Sequence, residues 1–164
     1  MQTPDLLEQA LVAWRVHDDI NLYLLDRIPL AGFGAVPFGS RGRTVGEQLF
    51  HMNRVRLAWL EYHASGKRPR VPRAKKGAVF TRAQLKSALR KSGVAVEALL
   101  RQSLRGEARV RLFTRQPLRW MGYLISHESH HRGQILLALK QQGMRLPEKI
   151  AIEGVWGRWM WDKR

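Results

Sequence analysis

The stretch HESHHRGQ, residues 127–134, places His127 and His131 four positions apart within a segment of helical periodicity. Residues four apart in an α-helix lie on one face, one turn above the other, so both imidazoles can reach the same metal ion. Neutral histidine is the commonest protein ligand for zinc and its neighbours in the first transition row. The stretch therefore predicts a long helix that carries part of a metal site.

The two histidines belong to a longer apolar stripe. Its members recur at spacings of three and four residues: Trp120, Leu124, His127, His131, Ile135 and Ala138. This spacing predicts that one face of the helix packs in the protein core. Buried polar groups without partners are costly, and a metal ion would be a partner for both imidazoles. His130 lies about 100° further round the helix and is expected off the stripe.

The second helix offers a third imidazole, that of His51. This residue shares a helical stripe with Val55, Ala58 and Tyr62 and is expected to face inward. A site made of His51, His127 and His131 would leave a fourth coordination position open, which is typical of catalytic zinc sites. Two other histidines are weaker candidates: His17 lies among acidic residues, and His63 lies at a helix end, where the helix dipole favours it.

Caps predict where the helices begin. The first is expected to open at Thr3, with Pro4 at its first position and Asp5 in its first turn, and to stop before Pro29. Two capping boxes open the next two helices. They are the pairs Thr44–Glu47 and Thr81–Gln84.

The helix ends follow from glycines. The second helix is expected to run to about Ser65, with Gly66 as a left-handed cap, and the third to end near Gly106. Pro117 opens the fourth helix, which is expected to end at Gly143.

The segments outside these helices differ in character. Residues 29–43 form a Gly- and Pro-rich loop, residues 67–79 form a basic connector, and residues 109–113 alternate as a short extended piece would. A tryptophan-rich tail is expected to close one end of the bundle or to contact a second chain. Its tryptophans are Trp156, Trp159 and Trp161. The chain is therefore predicted to be one all-α domain, residues 1–164, with a four-helix bundle.

The positive charge is concentrated in the middle of the chain. The formal net charge is +16, distributed as −1 over residues 1–63, +14 over residues 64–126 and +3 over residues 127–164. Such an excess attracts nucleic acid, anionic lipid or acidic small molecules, and it is also compatible with an ordinary solvated face. A nucleic-acid-binding helical module is therefore an alternative function, although no recognised reading motif is present.

Composition excludes several classes of site. The chain has no cysteine, so disulfides, thiolate metal ligands and cysteine nucleophiles are excluded. No apolar run reaches the length of a membrane span, and the first residues lack the pattern of a signal peptide, so a cytoplasmic protein is expected.

The motifs together resemble the DinB/YfiT-like superfamily. The resemblance rests on Thr44, Glu47 and His51 in one helix and on the run His127 to Gln134 in another. It implies a four-helix bundle that holds a divalent ion, often zinc or nickel, on three histidines; by position these would be His51, His127 and His131. It further implies a frequent homodimer. Characterised relatives include transferases and isomerases that depend on a low-molecular-weight thiol, which would have to be external here.

The resemblance and the residues together lead to a hypothesis of a metal-dependent enzyme. Its reaction would be a thiol-dependent transfer, or a related hydrolysis or isomerisation, on a small substrate that carries negative charge. Glu128, His130 or Tyr62 would assist proton transfer. Arg132 would bind an anionic group of the substrate or cofactor, or would simply face solvent.

A competing interpretation is a zincin-type metalloprotease, because His127-Glu128-x-x-His131 matches the His-Glu-x-x-His motif. Glu128 would then be the general base, and Glu148 or Glu153 would be the third ligand. The interval from Arg132 to Ile150 contains no histidine that could complete the longer form of the motif.

Overall fold

The computed structural model describes residues 5–75 and 77–161, and all the regular structure in these residues is helical. Four long helices account for most of it. They are α1 (Leu6–Arg27), α2 (Val45–Ser65), α3 (Arg82–Leu104) and α4 (Pro117–Gln141). Helices α3 and α4 each pack against α1, against α2 and against one another. None of the described helices combines the length and hydropathy needed to cross a bilayer.

Both predicted capping boxes are confirmed. The Thr44 hydroxyl accepts the Glu47 N–H at 3.2 Å, while the Glu47 carboxylate accepts the Thr44 N–H at 2.9 Å. Thr81 and Gln84 make the same reciprocal pair at the start of α3. Gly66 ends α2 in the left-handed conformation, with φ of 71°. These caps satisfy helix-end groups that would otherwise lack partners.

The predicted start of α1 is wrong in its detail. Asp5 is the N-cap, with extended backbone angles, and its side chain accepts the Glu8 N–H at 2.7 Å. It therefore precedes the first turn, because a capping residue cannot itself be helical. Thr3 and Pro4 lie outside the described residues, and so does Lys76 of the basic connector.

The extended piece expected at residues 109–113 is wrong at its end. The backbone turns from Leu112 onward: φ is 59° at Leu112, 46° at Phe113, 50° at Thr114 and 60° at Arg115. A lone strand needs a partner for its backbone groups. The Arg111 N–H finds another acceptor, the Nδ1 atom of His63, at 3.1 Å.

Two apolar clusters fill the interior, and buried polar side chains separate them. One cluster includes Leu11, Trp14, Leu100, Trp120 and Leu124; the other includes Leu25, Leu49, Leu89, Ile135 and Leu139. The side chains between them form what we call the polar layer: His17, Asn21, Arg56, Glu128 and Arg132. Along both α1 and α4, the polar layer follows the first cluster and precedes the second.

The tail runs along α1. It forms one wide π-helical segment, Ile150–Trp156, followed by the short helix α5 (Gly157–Met160). The tail packs against the Tyr23 ring of α1, and the Arg158 guanidinium lies 4.6 Å from the centroid of that ring. The Cα of Gly154 approaches this ring so closely that a Cβ would overlap it. The tail therefore lies along α1 and, contrary to one of the two predictions for it, does not close one end of the bundle.

Candidate metal centre

Three histidines meet between α2 and α4. His51 extends from α2, while His127 and His131 extend from successive turns of α4. One ring nitrogen from each lies within 4.8 Å of the other two, and the Nε2 atoms of His51 and His127 are 3.3 Å apart. The structure therefore brings together the three residues that the sequence singled out.

This donor set suits a divalent transition metal. Two imidazole nitrogens bound to zinc at about 2.0–2.1 Å in a tetrahedron lie about 3.4 Å apart, which is close to the separation found for His51 and His127. The three ring centroids are separated by 5.2, 4.9 and 4.7 Å, and each pair of rings is strongly inclined. The rings therefore converge on one point without stacking on each other.

The imidazoles are held neutral, as metal ligands must be. Burial lowers the pKa of His51 to about 4, and the nearby positive charge of Arg43 acts in the same direction. Burial likewise lowers the pKa of His131 to about 4, with the neighbouring His127 as the next cause. The pKa of His127 is also lowered by burial. At neutral pH each ring therefore offers a free lone pair.

Gln48 orients one of these rings. The His131 Nδ1 donates to the Gln48 side-chain oxygen at 3.3 Å, which leaves Nε2 of His131 free to bind an ion. Such an outer contact fixes the tautomer and the direction of a metal-binding histidine. Gln48 is buried on α2, one turn before His51. Sequence reasoning missed it, although its spacing of three from His51 was an available signal.

The environment of Glu128 differs from that of its neighbours on α4. Its carboxylate is fully buried and accepts from Arg56 at 2.7 Å on both oxygens, from Asn21 at 2.6 Å and from His17 at 2.8 Å. Burial alone would raise its pKa, but Arg56 and His17 outweigh burial and hold the pKa far below its usual range. Glu128 is thus an ionised anchor within the polar layer.

Arg56 is the main partner of that anchor, and sequence reasoning missed it. Its side chain is fully buried, and it also donates to Asp18 at 2.6 Å and to the Leu89 carbonyl at 3.0 Å. A signal was available: Arg56 continues the apolar spacing of Leu49 and Met52 along α2. A charged residue at such a position needs a buried partner of opposite charge.

Arg132 and His130 have different surroundings. Arg132 is buried and donates to Asn21 at 2.8 Å and to the Ser129 hydroxyl at 2.6 Å, so its guanidinium belongs to the polar layer. His130 is exposed, and its ring centroid lies 5.4 Å from that of His131.

The remaining candidates lie outside the three-histidine group. His17 is fully buried in the polar layer, and His63 packs against Trp59 and Trp120. Glu148 and Glu153 are exposed, and neither belongs to the metal-ligand group found among the described residues.

A cavity of about 340 Å³ lies directly beside His51. Seven residues line it: Arg43, Glu47, Phe50, His51, Arg54, Arg73 and Ala74. The candidate metal centre therefore has an adjoining space that could admit a small molecule.

Comparison with known proteins shows similarity at the level of the family. No curated protein matches the chain. The DinB family, in contrast, matches residues 1–149, which include all four long helices and all three histidines of the centre. This chain therefore belongs to the DinB family.

Proposed function

We propose that this protein is a metal-dependent enzyme in which a DinB-like four-helix bundle holds one divalent ion on His51, His127 and His131. The observation that carries the proposal is the convergence of three nitrogens within 4.8 Å, on rings whose pKa values are all lowered. Zinc or nickel is the expected ion, in keeping with the donor set and the family.

The ion would act as a Lewis acid that lowers the pKa of a water molecule or thiol at an open position. The protein supplies the positioning: Gln48 sets the direction of His131, and the polar layer holds α4 in place. Because the chain has no cysteine, a thiol reaction would use an external low-molecular-weight thiol. The proposed reactions are a thiol-dependent transfer, or a related hydrolysis or isomerisation.

Among the candidates for proton transfer, we favour His130. It is exposed and adjoins His131, whereas the carboxylate of Glu128 is enclosed by Arg56, His17 and Asn21. We assign Glu128 and Arg132 to the support of the centre. The enclosure of Glu128 also counts against the protease interpretation, which needs this carboxylate next to the metal.

Nucleic-acid binding is the second candidate, supported by the basic connector. Two basic side chains of α3 already form ion pairs: Lys86 pairs with Asp26 at 2.6 Å and Arg101 with Glu97 at 3.0 Å. Binding to DNA that weakens steeply with salt and depends on the connector lysines and arginines would favour this function. A homodimer and a cytoplasmic location stay predictions.

The proposal is tested by elemental analysis of purified wild type, His51→Ala and His130→Ala. We expect about one divalent ion per chain in the wild type and in His130→Ala, and loss of most of it in His51→Ala, because a two-histidine site binds far more weakly. His130 is the matched control, since it adjoins the centre but extends to solvent.

Two results would contradict the proposal. Retention of metal by His51→Ala would place the third ligand elsewhere. Absence of metal from all three proteins, even after reconstitution with zinc or nickel, would remove the basis for a metal-dependent enzyme. Circular dichroism of each variant checks that the helices are retained.

A further inference from the structure

The cavity beside His51 has an unusual concentration of arginine. Arg43 reaches it from the loop before α2, Arg54 from α2 itself, and Arg73 from the basic connector. We call this cavity the arginine pocket. Its volume of about 340 Å³ lies at the lower end of the range for sites that bind small molecules, roughly 300–1,000 Å³.

The pocket has a net positive charge. Glu47 is the acidic residue of its lining, and the Glu47 carboxylate already accepts the Thr44 N–H at 2.9 Å in the capping box. Within residues 5–75 and 77–161, the ion pairs do not include any of the three arginines. Three arginines thus line one small space without an ion-paired carboxylate, which is a favourable setting for an added anion.

Arginines from separate segments meet at this pocket because the connector is attached to α2. The Arg54 Nε donates to the Val71 carbonyl at 3.3 Å, and this bond holds the connector against α2. Arg73 follows two residues later and lines the same cavity. The described residues of the connector make no helix or strand, and this bond thereby positions Arg73 and Ala74 as one wall of the pocket.

We propose that the arginine pocket binds the anionic group of a small organic substrate, a carboxylate or a phosphate monoester, and thereby holds the rest of the molecule against His51. This inference rests on the proposed metal-dependent function, because His51 belongs to both the pocket and the metal centre. Guanidinium groups pair with such anions through two parallel hydrogen bonds. Phe50, which stacks on Phe80 with centroids 4.7 Å apart, gives the pocket an apolar wall for the ring or chain of the substrate.

The test uses benzoate, phenyl phosphate and benzamide as probes. Benzamide has nearly the shape of benzoate but no charge, so the ratio of their affinities measures recognition of the anion. Binding to the full chain is measured by calorimetry at constant ionic strength. It is measured once with zinc-loaded protein and once after removal of metal by a chelator, so that direct binding of the probe to the ion is separated from binding to arginine.

The variants are the double substitution Arg43→Gln/Arg73→Gln and its matched control, Arg41→Gln/Arg70→Gln. The control removes the same charge from the same two segments, at exposed residues that do not line the cavity. We expect the metal-free wild type and the control to prefer at least one of the two anions over benzamide by about tenfold. We expect the preference to vanish in the pocket variant. The comparison of benzoate with phenyl phosphate identifies the anion that the pocket favours.

Equal binding of benzamide and both anions to the wild type would overturn the proposal. Equal loss of the preference in the two double variants would also overturn it, because the effect would then come from overall charge. The metal analysis of the preceding section is independent of these results. If the protein prefers an anion but holds no metal, the proposed anion pocket stands and the proposed metal-dependent enzyme fails. If the protein holds metal but shows no preference for an anion, the proposed enzyme stands and the proposed pocket fails.

Discussion

At the scale of single residues, burial sets the protonation state of the histidines. His63 shows the effect away from the metal centre: it is 4% exposed, packs against Trp59 and Trp120, and accepts the Arg111 N–H on Nδ1. Burial lowers its pKa to about 4, and the charge of Arg111 acts in the same direction. The folded protein therefore keeps this ring neutral at pH values where the unfolded chain would protonate it.

We expect His63 to make the unfolding free energy decrease as the pH is lowered. Its pKa is lower in the folded state than the ordinary value of 6.5, so the folded state loses stability as pH falls from 6.5 to about 4 and loses no more below that. His63→Gln keeps an acceptor for the Arg111 N–H and does not titrate. Between pH 7 and pH 5, the unfolding free energy of the wild type should fall by about 1–2 kcal/mol more than that of the variant.

Urea unfolding at the two pH values measures this difference. The other histidines are common to both proteins, so their titration cancels in the comparison. Parallel pH dependence in wild type and variant would show that His63 is not kept neutral by folding.

At the scale of elements, Gly93 of α3 lies in close contact with α1. The Trp14 indole N–H donates to the Gly93 carbonyl at 3.0 Å, and a Cβ on Gly93 would overlap the carboxylate of Asp18. That carboxylate cannot move freely, because it accepts from Arg56 at 2.6 Å. Gly93 therefore allows the two helices to approach while the ion pair stays between them.

Gly93→Ala should lower the unfolding free energy by about 1–3 kcal/mol, since the added methyl group must displace Asp18. Gly122→Ala is the matched control: this glycine lies within α4, and its Cβ would meet no atom within 4 Å. The control should raise the unfolding free energy by about 0.5–1 kcal/mol, because alanine is the better helix former. Two changes of the same sign, measured by denaturant titration, would refute the argument from close packing.

Local signals explain which elements could be predicted. The capping boxes of α2 and α3 need only residues three apart, so Thr44–Glu47 and Thr81–Gln84 were readable from the sequence. The inward direction of His51, His127 and His131 could also be predicted from local spacing, because each of these histidines occupies a position in the apolar stripe of its helix. The interaction of Arg56 with Glu128, in contrast, joins residues 72 positions apart, and no local pattern specifies such a partner.

At the scale of the whole molecule, the polar layer divides the core and connects three helices by charge. Arg56 of α2 contacts Asp18 of α1 and Glu128 of α4, and Asn21 of α1 contacts Glu128 as well. The opposing charges of Glu128 and Asp18 raise the pKa of Arg56 against the effect of burial, so the guanidinium stays charged. Each charge in this layer therefore depends on the others to be tolerated.

Arg56→Met should lower the unfolding free energy by about 3–5 kcal/mol, because it leaves the buried Glu128 carboxylate without its main partner. Arg15→Met is the matched control. Arg15 pairs with Glu8 and Glu97, but its side chain is 46% exposed, so we expect a loss below about 1 kcal/mol.

If Arg56→Met does not fold, the double variant Arg56→Met/Glu128→Leu keeps the prediction testable. Removal of both charges should restore folding and part of the stability. Equal losses in the two single variants, or no recovery in the double variant, would contradict the role given to the pair.

The polar layer also fixes the helices in phase along their axes. A helix that slides by one turn moves about 5.4 Å and still presents an apolar face, so leucines alone would tolerate the slip. The Glu128 carboxylate would not tolerate such a slip, because the shift would carry it away from Arg56 and into contact with leucine side chains. His127 and His131, which flank Glu128 on α4, would move with it, out of line with His51. The alignment of the three imidazoles thus depends on a set of charges that lies outside the candidate metal centre.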